Sequence, residues 1–333
     1  MALFLPENGT VETPLPSKSG VLLLNLGSPA APTAAAVRPY LAQFLSDQRV
    51  VEKKAWQWLP ILHGVILRLR PAKSAALYRH IWQENGSPLI VHTHHLAAAL
   101  AARLSVPVYS AMTYGNPSVL EVVQRMKQDG ITRMVCLPLF PQYAGSAGGA
   151  ALDALWRTLL RSRYQPSVTT VSDFHAFPPY IAALAAKIRR SWQAHGRGEV
   201  LVLSFHGIPL AQHTAGDPYV AQCYATARAL AQALEMGEQD YRVTFQSHFG
   251  RDPWVKPATQ AVLHELPAQG IRKIDVTCPG FVCDCLETLE EIALSGKEIF
   301  TAAGGEAYHY IGCLNDEAEN VEALAQLLAL HLG

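Results

Sequence analysis

The stretch Leu201-Val202-Leu203-Ser204-Phe205-His206-Gly207-Ile208-Pro209 decides how the rest of the chain is read. Residues 200–203 form an unbroken apolar run, the pattern of a strand buried on both faces, as in parallel sheets. Gly207 and Pro209 stop that strand abruptly, which holds His206 at its carboxyl edge. In open α/β sheets, ligands bind in the crevice beyond the carboxyl ends of the strands. A titratable, metal-capable ring at that place is a candidate for chemistry. From this segment alone, a histidine hydrogen-bonded within a turn is an equal alternative.

Outward from this stretch, apolar runs alternate with Ala/Leu-rich helical stretches at 92–104, 119–129, 179–194, 219–236, 258–268 and 318–332. This is the α/β signature. Three strand endings of the first half recur in the same order in the second. Leu22–Pro29 answers Leu201–Pro209, and Tyr109–Pro117 answers Thr244–Pro253. Gly130-Ile131 leading to Leu137-Pro138-Leu139-Phe140 answers Gly270-Ile271 leading to Cys278-Pro279-Gly280-Phe281. In the first pair the second copy is one residue longer, and His206 lies in the added stretch. The echo predicts two similar Rossmann-like domains, each a doubly wound parallel sheet, joined near 164–175 with strand ends from both lining a cleft. The expected division is an N-terminal arm over 1–19, a first domain over 20–165 and a second over 166–317 carrying His206. Helix 318–332 is a candidate to pack back on the first domain.

Bulk properties exclude several classes. Half of the 333 residues are hydrophobic and 16% are charged, against a usual charged share of about 25%. Lys+Arg and Asp+Glu both number 27, so no basic field is offered to nucleic acid. Met1–Gly20, with Pro6, Pro14 and Pro16, lacks the basic-then-apolar pattern of a signal peptide. A cytoplasmic location is therefore expected, with the six cysteines as free thiols. Cys278, Cys283 and Cys285 lie close together but without C-x2-C spacing or a second cluster, so buried thiols are expected there. The apolar, aromatic segment 55–67 is too short and interrupted to span a bilayer. It covers a core, or forms a greasy lip for an apolar ligand or membrane surface. P-loop, G-x-G-x-x-G, G-x-S-x-G and H-E-x-x-H patterns are all absent.

Asp284, Glu287 and Glu291 fall at i, i+3 and i+7, one face of a helix. Two readings compete. Asp284 caps the helix with Glu287 as its capping-box partner; or the carboxylates lead a cation to a site where His206 and Glu287 together accept Fe(II).

The ordered set LLLNLGSP (22–29), YLAQFLSDQRVV (40–51), GSP (86–88), PQY (141–143), LSFHGIP (203–209), GDPY (216–219), FQSHFG (245–250), PW (253–254) and CPGFVCDCLETLEEI (278–292) resembles ferrochelatase. The likeness covers roughly residues 20–316 and is nearest to the cluster-free form of Gram-negative bacteria. It implies two Rossmann-like domains with a porphyrin cleft between them, and insertion of Fe(II) into protoporphyrin IX to make protohaem. It further implies His206 and Glu287 as the catalytic and metal-handling pair, with Asp284 and Glu291 as candidate relays. Leu26, Ser87, Tyr114, Phe140 and Trp254 are implied along the porphyrin. Fe(II) is then a substrate, and neither a tightly bound cofactor nor an iron–sulfur cluster is expected. Expected partners are protoporphyrin IX and Fe(II), without nucleic acid. Peripheral membrane contact and transient haem-pathway partners are left open.

The chain departs from the family pattern in places. Phe140 stands where a tyrosine is usual, Asn85 replaces a common glycine, and Thr113 takes a position that is arginine in some members. Ala144-Gly145-Ser146-Ala147 offers few hydroxyls. Two alternatives follow: a coproporphyrin ferrochelatase, or a non-catalytic porphyrin or haem carrier on the same fold.

Overall fold

Val21, Leu22, Leu23 and Leu24 are each 0% exposed, because their strand is sandwiched on both faces and flanked on both edges. The computed structural model describes Phe4 and residues 17–250 and 252–332. The arm expected over 1–19 lies almost wholly outside the described residues.

The chain divides into two compact units. The first comprises the chain up to Leu139, Gly145–Asp173 and the residues from Leu324. Its sheet is built from β1 (Ser19–Asn25), β2 (Val108–Met112), β3 (Arg133–Pro138) and β4 (Ser167–Thr170), all parallel, in the order β2-β1-β3-β4. Helices Pro88–Arg103, Val119–Gln128 and Ala150–Leu159 supply crossovers. The second of these opens on a capping box, Ser118 N–H to the Glu121 carboxylate (2.9 Å) and Glu121 N–H to Ser118 Oγ (3.3 Å).

The second unit comprises Phe140–Ala144 and Phe174–Ala323. Its strands are β5 (Val200–His206), β6 (Tyr241–Gln246), β7 (Lys273–Thr277) and β8 (Ala307–Ile311), again all parallel, in the order β6-β5-β7-β8. Val200, Val202, Ile274, Val276, Leu263 and Phe300 form the centre of its core. The strand order is the same in both units, so the echo in the sequence is a repeated topology.

The register of that repeat differs from the sequence reading. Met112 N–H donates to Pro117 O and Phe245 N–H donates to Pro257 O, each at 2.8 Å. Asn25 pairs with Met112 and Phe205 with Phe245. Leu26-Gly27-Ser28-Pro29 therefore answers His206-Gly207-Ile208-Pro209 residue for residue. His206 occupies the place of Leu26 and no added residue. The real insertion is elsewhere: Pro117 follows Met112 by five residues, and Pro257 follows Phe245 by twelve. Pro257, and not Pro253, matches Pro117, and the extra chain carries Trp254.

Ser167–Thr170, assigned by the sequence reading to the second domain, pairs with β3 in the first sheet. The first unit accordingly runs on to Asp173. Helix Ala318–Leu332 is counted with the second unit to Ala323 and with the first from Leu324. All six cysteines are buried, as thiols and not as disulfides. Over 55–69, Trp58 and Leu62 are buried while Trp56, Ile61, Val65 and Leu69 are exposed, which leaves one apolar ridge on the surface. Among the described residues no helix is long and apolar enough to cross a membrane.

Candidate active site

His206 ends β5 half-buried. Its Nδ1 lies 2.7 Å from the Gly207 carbonyl oxygen. A carbonyl only accepts, so Nδ1 carries the hydrogen and the neutral ring keeps its lone pair on Nε2. Gly207 follows where a side chain would crowd its neighbours. A Cβ there would stand 2.9 Å from Gln246 O and 3.0 Å from Trp254 Cε3. Trp254 is fixed by a short antiparallel pairing with the chain after β5. Leu210 N–H donates to Pro253 O (2.8 Å) and Val255 N–H to Ile208 O (3.1 Å). The Trp254 and Phe281 rings stand 6.3 and 6.5 Å from the His206 ring, centroid to centroid.

Glu287 lies in a single helical turn, Leu286–Thr288, that continues into a π-helix over Leu289–Gly296. The turn is closed by Cys285 N–H donating to Thr288 Oγ1 at 2.9 Å. The capping reading of Asp284 with Glu287 is thereby corrected: Cys285 is the capping residue, and the Glu287 carboxylate is hydrogen-bonded by its thiol. The Glu287 backbone carbonyl accepts from Gln246 Nε2 at 2.7 Å.

The three acids part company. Asp284 accepts from Tyr310 Oη (2.7 Å), Asn315 Nδ2 (2.8 Å), Thr288 Oγ1 (2.9 Å) and Cys313 N–H (3.2 Å). Burial alone would raise its pKa, but the bonds from Tyr310, Asn315, Thr288 and Cys313 outweigh it and hold the carboxyl below its usual range. With its lone pairs filled, Asp284 anchors the turn to the chain after β8; it has no capacity left for the relay the resemblance implies. Glu291 behaves otherwise. Burial pushes its carboxyl up, opposed by hydrogen bonds from Ser247 and the charge of His206, while Glu287 pushes it further up. His206, Glu287 and Glu291 thus share one electrostatic neighbourhood. Glu291 holds both the N–H and O–H of Ser247, a residue in the left-handed region at φ 67°. Among the described residues, no three His, Cys, Asp or Glu side chains converge to hold a metal.

The remaining candidates occupy two places. In the first unit, Leu26 is half-buried beyond β1, and its carbonyl accepts from Tyr114 N–H at 2.9 Å. Tyr114 is only 4% exposed, with its hydroxyl on Asp47 (3.1 Å) and its ring edge-on to Phe44. Burial, with Asp47 beside it, drives that phenol far above its usual range. Ser87 is buried at the start of helix Pro88–Arg103. Phe140, half-buried, is counted with the second unit. Sequence reading missed Gln246, Ser247 and Phe281 as neighbours of the histidine. Their signal was FQSHFG after the second strand ending and the aromatic of CPGF.

Two all-parallel sheets of one strand order make up the two-domain fold that solved chelatases share. SirB from Bacillus subtilis, solved with Fe3+, superposes with a TM-score of 0.59 at 12% identity, covering 95% of this chain and 96% of that one. CbiX, a terminal enzyme of sirohaem biosynthesis in denitrifying bacteria, gives 0.51 at 12% identity, with 95% and 100% covered. These likenesses show the fold. The sequence carries the assignment further: the ferrochelatase family model matches residues 18–332. The ferrochelatase of Neisseria meningitidis (serogroup C) is 52% identical over 334 residues, covering 100% of this chain and 99% of the relative. That of Nitrosomonas europaea is 50% identical over 342 residues, covering 100% and 93%. The chain belongs to the ferrochelatase family. It is a lyase of the metal-chelatase class, acting in metal insertion into a porphyrin.

Proposed function

We propose that this enzyme inserts Fe(II) into protoporphyrin IX to form protohaem, with His206 as proton acceptor and Glu287 as the group that handles the iron. The observation that carries this reading is the commitment of His206 Nδ1 to a carbonyl, which leaves Nε2 as the basic atom. Metalation releases two pyrrole protons as the metal takes their place. Protonation of Nε2 gives an imidazolium whose Nδ1–H bond is retained and whose charge is balanced by Glu287 and Glu291. One of these carboxylates takes the second proton, and Glu287 replaces water on the incoming Fe(II). Trp254 and Phe140 are proposed as macrocycle contacts. Remote contacts of this kind supply the binding energy needed to bend the ring so that its nitrogen lone pairs meet the metal.

Thr113 and the hydroxyl-poor run 144–147 offer few anchors for anionic groups. That favours a porphyrin with two propionates over coproporphyrin with four. Anaerobic turnover of the two porphyrins with Fe(II), followed by absorbance, tests the assignment. Faster metalation of protoporphyrin supports it, and faster metalation of coproporphyrin refutes it. Fe(II) enters as substrate, and the purified protein is expected to show no iron–sulfur absorbance. The ridge Trp56, Ile61, Val65 and Leu69 is proposed as the surface for peripheral bilayer contact, to be read by co-sedimentation with vesicles.

A further inference from the structure

We propose that Gln246 is a positioning residue for Glu287. The inference rests on the role proposed for Glu287 above. Gln246 is the last residue of β6 and lies opposite His206 in the parallel register. Its backbone carbonyl accepts the Gly207 N–H at 2.8 Å, which fixes the chain just after the imidazole. Its side chain reaches the other way: Oε1 accepts from Ser204 Oγ at 2.7 Å and from the Cys278 thiol at 3.6 Å. Nε2 donates to the Glu287 carbonyl at 2.7 Å. One residue therefore ties the base and the acid to a common strand end.

The amide has a single workable orientation. Flipped, its oxygen would face the Glu287 carbonyl, which can only accept. Behind Ser204 a run of buried hydroxyls continues, Ser204 to Thr259 at 2.9 Å and Thr259 to Thr244 at 2.9 Å. Gln246 itself is only 2% exposed, so its end of the bond to Glu287 is shielded from bulk water. The turn that carries Glu287 is only three residues long, between a capping residue and a π-helix. A side-chain tether across from β6 is what sets its distance from the histidine. Displacement of a reacting group by about 1 Å can cost about a hundredfold in rate.

Gln246→Met keeps the length and removes all three hydrogen bonds of the amide. It should lower kcat by about ten- to a hundredfold and leave KM for the porphyrin within about twofold, because Trp254 and Phe281 keep their places. Thr244→Val, at the far end of the hydroxyl run, is the comparison: it should lose thermal stability and keep kcat. Should Gln246→Met be insoluble, Ser204→Ala removes the hydroxyl that donates to the amide oxygen while keeping Gln246. That variant should lower kcat to a lesser degree, again with KM unchanged. The proposal is overturned if Gln246→Met raises KM and keeps kcat. It is equally overturned if Thr244→Val loses kcat in the same measure, or if Ser204→Ala turns over like the parent. Glu287→Gln separates the two ideas. If it retains turnover, the role of Glu287 falls and that of Gln246 with it; if it is inactive while Gln246→Met is fully active, only the positioning role falls.

Discussion

His206 Nδ1 and the carbonyl oxygen of Gly207, its immediate neighbour, stand 2.7 Å apart. The tautomer of the ring follows from that contact. His206→Ala should therefore abolish a proton-transfer step while leaving the aromatic surroundings intact. We expect kcat to fall by about a hundred- to ten-thousandfold, with porphyrin binding, followed by quenching of tryptophan fluorescence, within about threefold of the parent. Turnover at the parent rate would remove the histidine from the mechanism.

Asp284 is a carboxylate filled by four partners. In Asp284→Asn an NH2 group must face donors, and urea unfolding should show a loss of about 3 kcal/mol. The pH dependence has a definite sign. The folded-state pKa is depressed below 3.8, so the unfolded chain binds more protons there and stability falls as pH drops through that window. The asparagine variant should lose this acid-side slope. A slope equal to the parent's would mean another group carries it.

Glu291 has the opposite sign. Its folded-state pKa lies above 4.5, chiefly through burial, so the folded protein holds the extra proton. Its contribution is present at lower pH and is lost as pH rises through the raised value. Glu291→Gln should flatten that decline in urea midpoints measured from pH 4.5 upward. An unchanged decline would show that Glu291 is charged at no cost.

Gly27 and Gly207 hold equivalent places in the two units but tolerate substitution differently. A Cβ on Gly27 would lie 1.8 Å from the Tyr114 carbonyl oxygen, at a φ of +105°. Gly27→Ala should cost about 4 kcal/mol or more. At Gly207 the closest approaches are 2.9 and 3.0 Å, the second to the movable Trp254 ring. Gly207→Ala should cost about 1–3 kcal/mol and show chiefly as lost activity through a displaced Trp254. Thermal melts together with turnover distinguish the two; equal destabilisation would refute the difference.

The buried strand, its terminal histidine and the repeat of three strand endings were legible in the sequence. Apolar runs and Gly/Pro punctuation are local signals, and they survive in any register. The family motifs likewise singled out Glu287 before any geometry was known. Only the tertiary structure decided that Leu26 and His206 are counterparts, since that depends on which carbonyl receives the N–H of Met112 and of Phe245. It also decided that Asp284 is saturated, through groups 29 and 31 residues away, and that Gln246 reaches a carbonyl 41 residues on. Along the chain, Asp284, Glu287 and Glu291 are three similar acids on one helical face. Hydrogen bonds from distant elements, together with unequal burial, make the first an anchor and put the third within electrostatic reach of both the imidazole and Glu287.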